Sequence, residues 1–385
     1  MNGKERILRT LARQPVDRVP IGIIGIDYDT VERILSHETY LRARIKSQIA
    51  FWEGRRAEVV QSWIEDTIAL HRRLDILDIV RINGSASSLV PPKDYQPEQV
   101  RPTGDNMWQA KDGRVWKAAP DSNEIMLVSQ PARTVTIEQF DLNPQPVPPA
   151  PSIFEVVDAV IAAFKDTHYI LGPSGEEAGM VMIGDGYNEQ SFMAFIEQPE
   201  LVRQAIVHYS KLGQINDQWY IRPGTDGVFW TTDFASNQGP FISPRMFRQF
   251  CLPSIKERVQ QVKARDLTVF KHACGNNWAL MDMFIEAGYD AYQGIQASAG
   301  MDLGDLKRKY GDKLTLCGGV TVENLVGGTQ DDVRRDVERA MRTADQGGGF
   351  ILDASHTVAY GTKYDNFMAM LDAYHEWAYK WPTEG

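Results

Sequence analysis

Cysteine is scarce in this chain, with three among 385 residues. Cys251, Cys274 and Cys317 are too few and too widely spaced for a disulfide framework, which excludes the small stapled secreted folds. In a reducing compartment such thiols are core residues, metal ligands or nucleophiles. Long apolar runs are missing too. The longest near the N-terminus, "VPIGIIGI", falls well short of the roughly 20 residues that span a bilayer. The opening "MNGKERILRTLARQPVDRVP" is charged throughout and lacks the apolar core of a secretory signal. A cytoplasmic protein without membrane contact is expected. Positive charge is in deficit: 41 Lys and Arg against 51 Asp and Glu give a formal charge of −10. That argues against a nucleic-acid partner, because phosphate neutralisation needs clustered cations. No glycine-rich phosphate fingerprint follows the first apolar run, so an open dinucleotide-binding sheet is the lesser alternative.

The chain instead holds a regular alternation of short apolar runs and helical segments. An amphipathic stretch from about Lys4 to Arg13 precedes "VPIGIIGI", which has the length and β-branching of a buried strand. Helical sequence then runs from about Thr39 to Arg73, and "ILDIVRI" supplies a second strand. From 86 to 151 prolines accumulate, and "NMWQAKDGRVWKAA" alternates around Asp112-Gly113 as a hairpin would. This segment reads as an insertion after strand two that covers one end of the fold. Beyond it come "HYILG", "GVFWTTD", "TVFKHAC", "DAYQGI", "LTLCGG" and "FILDAS", separated by helices. One of these helices opens with Ser243 as N-cap and Pro244 in the first turn. Eight alternating units imply parallel strands and right-handed crossovers, and so one α/β domain over 1–385: a (β/α)8 barrel with an N-terminal helical extension.

In such a barrel chemistry gathers at the C-terminal strand ends. Asn83, Asp233, His272, Cys274, Gln296, Cys317, Asp353 and His356 fall there. Residues i and i+2 of a strand share a face, so His272 and Cys274 in "KHACGNN" can point together into the mouth. An imidazole nitrogen beside a thiolate is a ligand pair suited to Zn²⁺, and a catalytic zinc needs a third protein ligand. His356 and Cys317 are the two candidates. Asp353 and Gln296 are placed to orient the ligands, and Asp233 either takes part in the chemistry or accepts loop amides. Trp108 and Trp116, on the expected hairpin, either cover a flat ligand or pack the hairpin down. Cys251 lies within a helix and reads as core. The glycines of "CGGVT" and "DQGGGF" read as tight turns more readily than as a phosphate site.

Several stretches together resemble the uroporphyrinogen decarboxylase superfamily. They are "GKERILRTLARQPVDRVP", "LDILDIVRI", "GVFWTTDFASNQGPFISPRMFRQFCLPSIKERV", the run from "KHACGNN" to "LTLCGGV", and "GGGFILDASHTVAYGTKYDNFMAML". The resemblance implies the barrel and two activities. The decarboxylases bind a many-carboxylate tetrapyrrole through arginines after strand one and an aspartate after strand two. Here those places read "GIDYDT" and "RINGSASS", with Asn83 where the carboxylate would stand, so decarboxylation of a carboxylated tetrapyrrole is the second reading. The other branch implies a cobamide-dependent methyltransferase. In it zinc, held by a His-x-Cys pair and a distant third ligand, activates a thiol acceptor for a methyl group carried by a corrinoid. His272 and Cys274 match the pair. The third ligand of that branch is a cysteine after strand eight, where "DASHTV" offers His356. The implied partners are a small-molecule substrate and a corrinoid, free or on a carrier protein, with Asn83, Trp108 and Trp116 as candidate contacts for it; a homodimer is implied as well. A barrel that binds a corrinoid or tetrapyrrole without catalysis is a third reading.

Overall fold

The computed structural model describes residues 1–82, 88–131, 135–177, 179–180, 189–344 and 348–380. In chain order its strands are β1 (Ile79–Arg81), β2 (Val100–Gly104), β3 (Met107–Ala110), β4 (Val115–Ala119), β5 (Glu124–Ser129), β6 (Tyr169–Gly172), β7 (Gly227–Trp230), β8 (Ala235–Ser236), β9 (Gly239–Pro240), β10 (Thr268–His272), β11 (Ala291–Gln293), β12 (Thr315–Val320) and β13 (Phe350–Ala354). β1, β6, β7, β10, β11, β12 and β13 form one sheet in that order. Every pairing within it is parallel. These strands are continuous apolar runs because both their faces are covered, by the barrel interior and by helices.

"VPIGIIGI" closes the sheet on itself without becoming a regular strand. Ile21 bridges Leu352 and Ile26 bridges Val358, both parallel. Gly22 N donates to Leu352 O at 2.9 Å, and Asp78 N donates to Ile21 O at 2.9 Å on the other side. Residues 20–26 are thus the eighth stave, between β13 and β1. Pro20 has no amide hydrogen to give a ladder. A Cβ on Gly22 would stand 2.9 Å from Ile79 Cδ1, so a glycine there lets the stave lie close to β1.

The N-terminal helix Gly3–Leu11 plugs the bottom of the barrel. Its Ile7 is fully buried and joins Ile79, Leu171, Phe270, Cys317 and Ile351 in the interior. Asp78, just before β1, ties this end together. It takes Arg6 Nη1 on Oδ1, Arg18 Nη1 on Oδ2 at 2.8 Å and the Ile21 amide on Oδ2 at 2.9 Å. Arg18 also meets the Tyr374 hydroxyl, which donates to Val19 O at 2.6 Å.

Two helical expectations are refined. The stretch expected as one helix over 39–73 is two, Arg44–Trp52 and Arg56–Arg73. They part at Gly54, whose φ of +77° a side chain would resist. The helix capped by Ser243, whose Oγ accepts from Met246 N at 3.2 Å, passes through a wide π turn at Phe247–Cys251 before continuing as Leu252–Lys263. Pro253 follows at once, and its missing N–H breaks the ordinary i→i−4 pattern there.

The insertion is more than a hairpin. β2, β3, β4 and β5 make a four-stranded antiparallel sheet, with the expected turn between β3 and β4. It leans on the helix Arg44–Trp52: the Trp52 ring lies 5.6 Å from Trp108 and 6.2 Å from Trp116. Asn123 Nδ2 donates to Arg42 O at 2.7 Å, and Glu124 pairs with Arg44. Among the described residues no helix is long and apolar enough to cross a membrane.

Candidate metal centre

β10 delivers His272 at its last position, and the chain then turns so that Cys274 lies beside it, Sγ 3.2 Å from His272 Nε2. The turn is held from several sides. Cys274 N donates to Asp233 Oδ1 at 2.8 Å, and Gly275 N donates to Gln296 Oε1 at 3.0 Å. Asn277 Nδ2 donates to Cys274 O at 2.8 Å. Gly275 has φ +81°, and a Cβ there would stand 2.4 Å from Ala235 O, so only glycine fits. His356, in the turn after β13, comes in from across the barrel, its ring 5.5 Å from that of His272. The donor atoms of His272, Cys274 and His356 all lie within 4.8 Å of one another.

Which nitrogen of His272 is free follows from its neighbour. Gln293 ends β11, in register with His272, and is fully buried. Its Nε2 donates to Ala354 O at 2.9 Å and faces Asp353 Oδ2 at 3.4 Å. Its Oε1 therefore faces the imidazole and accepts from His272 Nδ1–H. Nε2 keeps its lone pair, on the side where Cys274 and His356 lie. This is how a metal-binding histidine is ordinarily oriented.

The group opens on a cavity of about 540 Å³, the size of a small-molecule site. Its wall includes His272, His356, Asp233, Glu177, Phe229 and three arginines, Arg42, Arg44 and Arg81. Arg81 stacks on Phe229 at 4.0 Å, and Phe229 stacks in turn on His272 at 6.2 Å. Burial, with the nearby charge of Arg42, pulls the Arg81 guanidinium down to about 9. Behind the wall, buried Lys271 donates to Glu177 Oε2 at 2.8 Å and to Thr232 O at 2.7 Å, and Tyr289 donates to Glu177 Oε1.

Burial also sets the protonation of the three donors. It pushes His272 down to about 3, against the hydrogen bond His272 donates to Gln293, and lowers His356. It pushes the Cys274 thiol up to about 12, with Asp233 and Glu323 adding to the rise. Two neutral imidazoles and a thiol that ionises only with a cation beside it are a donor set that fits zinc. His272 and His356 line the cavity and Cys274 lies beside His272, so a metal held by the three would have its remaining position toward the cavity, as an open rather than a closed structural site does.

Residues 128–377 match the family described as "Uroporphyrinogen decarboxylase (URO-D)". The chain belongs to the uroporphyrinogen decarboxylase family. A uroporphyrinogen decarboxylase of Coxiella burnetii (strain Dugway 5J108-111) is 21% identical over 395 aligned positions, covering 98% of this chain and 96% of that protein. A second, from Legionella pneumophila (strain Corby), is 26% identical over 141 positions, 36% of this chain and 38% of its own length. Among solved structures, a methyltransferase from Methanosarcina mazei superposes with a TM-score of 0.66 at 18% identity, over 98% of this chain and 99% of that one. At that identity the likeness shows the fold, a (β/α)8 barrel.

On this family fold the residues expected from sequence separate into those that meet and those that do not. His272, Cys274 and His356 meet. Cys317 does not join them: it packs in the interior with Ile79, Phe270 and Ile351, where burial holds its thiol far above the usual range. Gln296 is not at the reacting end of the cavity either. Its side chain braces the 274–276 turn and reaches Ser298 and Asn237 on the surface. Asp353 lies beneath Gln293, off the large cavity, with burial raising its carboxyl well above the ordinary value. Asp233 does line the cavity, and its Oδ1 is an acceptor for the ligand turn. Trp108 and Trp116 pack on Trp52 and are not in the cavity wall. Asn83 lies outside the described residues. Gly348 and Gly349 of "DQGGGF" precede β13, at the barrel end away from the mouth, and Gly347 lies outside the described residues. "GIDYDT" carries no arginine, yet Arg42 and Arg44 from further along the chain and Arg81 from β1 line the cavity. Gln293, Arg81 and Lys271 carried a signal of their own, a polar residue inside an otherwise apolar strand.

Proposed function

We propose that this chain is a zinc-dependent methyltransferase that moves a methyl group from a methylated corrinoid to a thiol acceptor. The observation that carries the reading is the meeting of His272, Cys274 and His356 with the second nitrogen of His272 already occupied by Gln293. Zinc held there would act as a Lewis acid that makes a thiolate available at neutral pH. The remaining work belongs to the chain. Gln293 keeps His272 in the metal-binding tautomer, and Asp233 holds the amide of Cys274 so that its sulfur stays beside the imidazole. Arg42, Arg44 and Arg81 favour ligands with acidic groups. Phe229 and Trp230 form an apolar stretch of wall. In the transfer a sulfur–methyl bond forms and the cobalt–methyl bond breaks, the electron pair staying on cobalt; the thiol proton leaves to solvent. The corrinoid arrives free or on a carrier protein, with the 86–151 insertion beside its path.

The test is metal content after exhaustive dialysis, measured by elemental mass spectrometry on wild type and Cys274→Ala. About one zinc per chain in wild type, lost in the variant, is expected. Metal-independent retention of full activity in Cys274→Ala would end this reading. A second reading, decarboxylation of a carboxylated tetrapyrrole, is favoured by the three cavity arginines. Carbon dioxide release by metal-free protein would select it, whereas spectral binding of a corrinoid without methyl loss would select a binding module.

A further inference from the structure

His356 is an unusual ligand in one respect. Among the described residues its imidazole meets the site through its ring and donor atoms and has no hydrogen-bond partner of its own, so its place depends on the backbone of its turn. That turn is held from the N-terminal segment. Val358 N donates to Gly25 O, and Asp27 N donates to Val358 O, both at 2.9 Å. The Asp27 carboxylate then takes Tyr360 N on Oδ2 at 3.0 Å and Arg42 Nε on Oδ1 at 2.8 Å. Arg42 reaches Thr357 Oγ1 at 3.4 Å, and Arg44 stands 3.8 Å from Asp27 Oδ1. Asp27 is 4% exposed, so these bonds face little competition from water.

We propose that Asp27 is the positioning residue for His356. Its amide holds Val358 O and its carboxylate holds Tyr360 N, which fixes how far the imidazole reaches toward His272 and Cys274. The same carboxylate offsets the charges of Arg42 and Arg44, which would otherwise oppose a dication at the site. The proposal rests on His356 being a metal ligand, so the experiment separates the two claims.

Co²⁺ is the probe, because its visible absorption reports ligand number and identity. Affinity and spectrum are measured for wild type, Asp27→Asn, His356→Ala and Asp78→Asn. Asp27→Asn is expected to lose about 10–100-fold in Co²⁺ affinity and to shift its spectrum toward that of His356→Ala. Asp78→Asn, which weakens the opposite end of the barrel, is expected to keep the wild-type spectrum. Wild-type affinity and spectrum in Asp27→Asn would overturn the proposal. Identical spectra for wild type and His356→Ala would remove His356 from the ligand set and the proposal with it. No Co²⁺ binding by wild type would end the zinc reading itself. Should Asp27→Asn not fold, Arg42→Gln decides: it removes a cation and leaves the Tyr360–Asp27 bond. Affinity at or above wild type supports the clamp, and a fall as large as that of His356→Ala overturns it.

Discussion

His272 can offer Nε2 to a metal because Gln293 holds Nδ1, and Gln293 can do so because Ala354 O holds its amide. Such a chain of single hydrogen bonds makes the proton count of the site definite. Near neutral pH both imidazoles are already neutral and Cys274 is still a thiol. Metal binding then displaces one proton, from Cys274 alone. Between about pH 7 and 8.5 Zn²⁺ affinity is expected to rise roughly tenfold per pH unit, checked by chelator competition. A slope near two would mean that one imidazole stays protonated in the metal-free protein. Much at this scale was legible beforehand. Strand alternation is why "HAC" read as a pair, although β10 ends at His272 and it is the turn after it that brings Cys274 alongside. Arg42 and Arg44 left no such trace, since one sits just before a helix and the other opens it, and they reach the cavity only through the folded chain.

Among the elements, those whose pattern is local matched the sequence best. Seven apolar runs became seven strands, while the long helical stretch split at a glycine and the first apolar run became a stave without a ladder. Period and β-branching report what a segment prefers; Pro20 and Gly22 answer to neighbours far away in sequence. The last turn of the helix Arg56–Arg73 gives a test at this scale. His71 donates to Thr67 O at 2.9 Å and packs 5.5 Å from Phe164, and burial pushes it down to about 4. Below pH 6.5 the unfolded chain takes up this proton and the folded one does not. The stability it contributes is present in full above pH 6.5 and is lost as pH falls toward 4, by about 1–3 kcal/mol with allowance for water at the ring edge. Denaturant titrations at pH 7 and pH 5 should show a smaller acid loss in His71→Gln than in wild type. Equal losses would show that the folded ring takes up its proton as readily as the unfolded one.

For the whole molecule, the eight-unit alternation was enough to imply closure, but not how closure is secured. That falls to Asp78, which joins the N-terminal helix, the first stave and the C-terminal helix through Arg6, Arg18 and Tyr374. Asp78→Asn leaves two buried guanidiniums short of their counter-charge and is expected to cost about 3–5 kcal/mol in chemical unfolding. A cost below about 1 kcal/mol would show that solvent, not Asp78, balances them.

The stave that closes the barrel also imposes an order in time. Ile21 and its partner Leu352 are about 330 positions apart, so a ribosome adding about 5–20 residues per second needs on the order of 15–65 s between them. Throughout that interval an apolar segment made long before its partner has one edge unpaired. Until β13 emerges the barrel has no partner for that edge, and chaperone demand is expected to fall once β13 clears the exit tunnel.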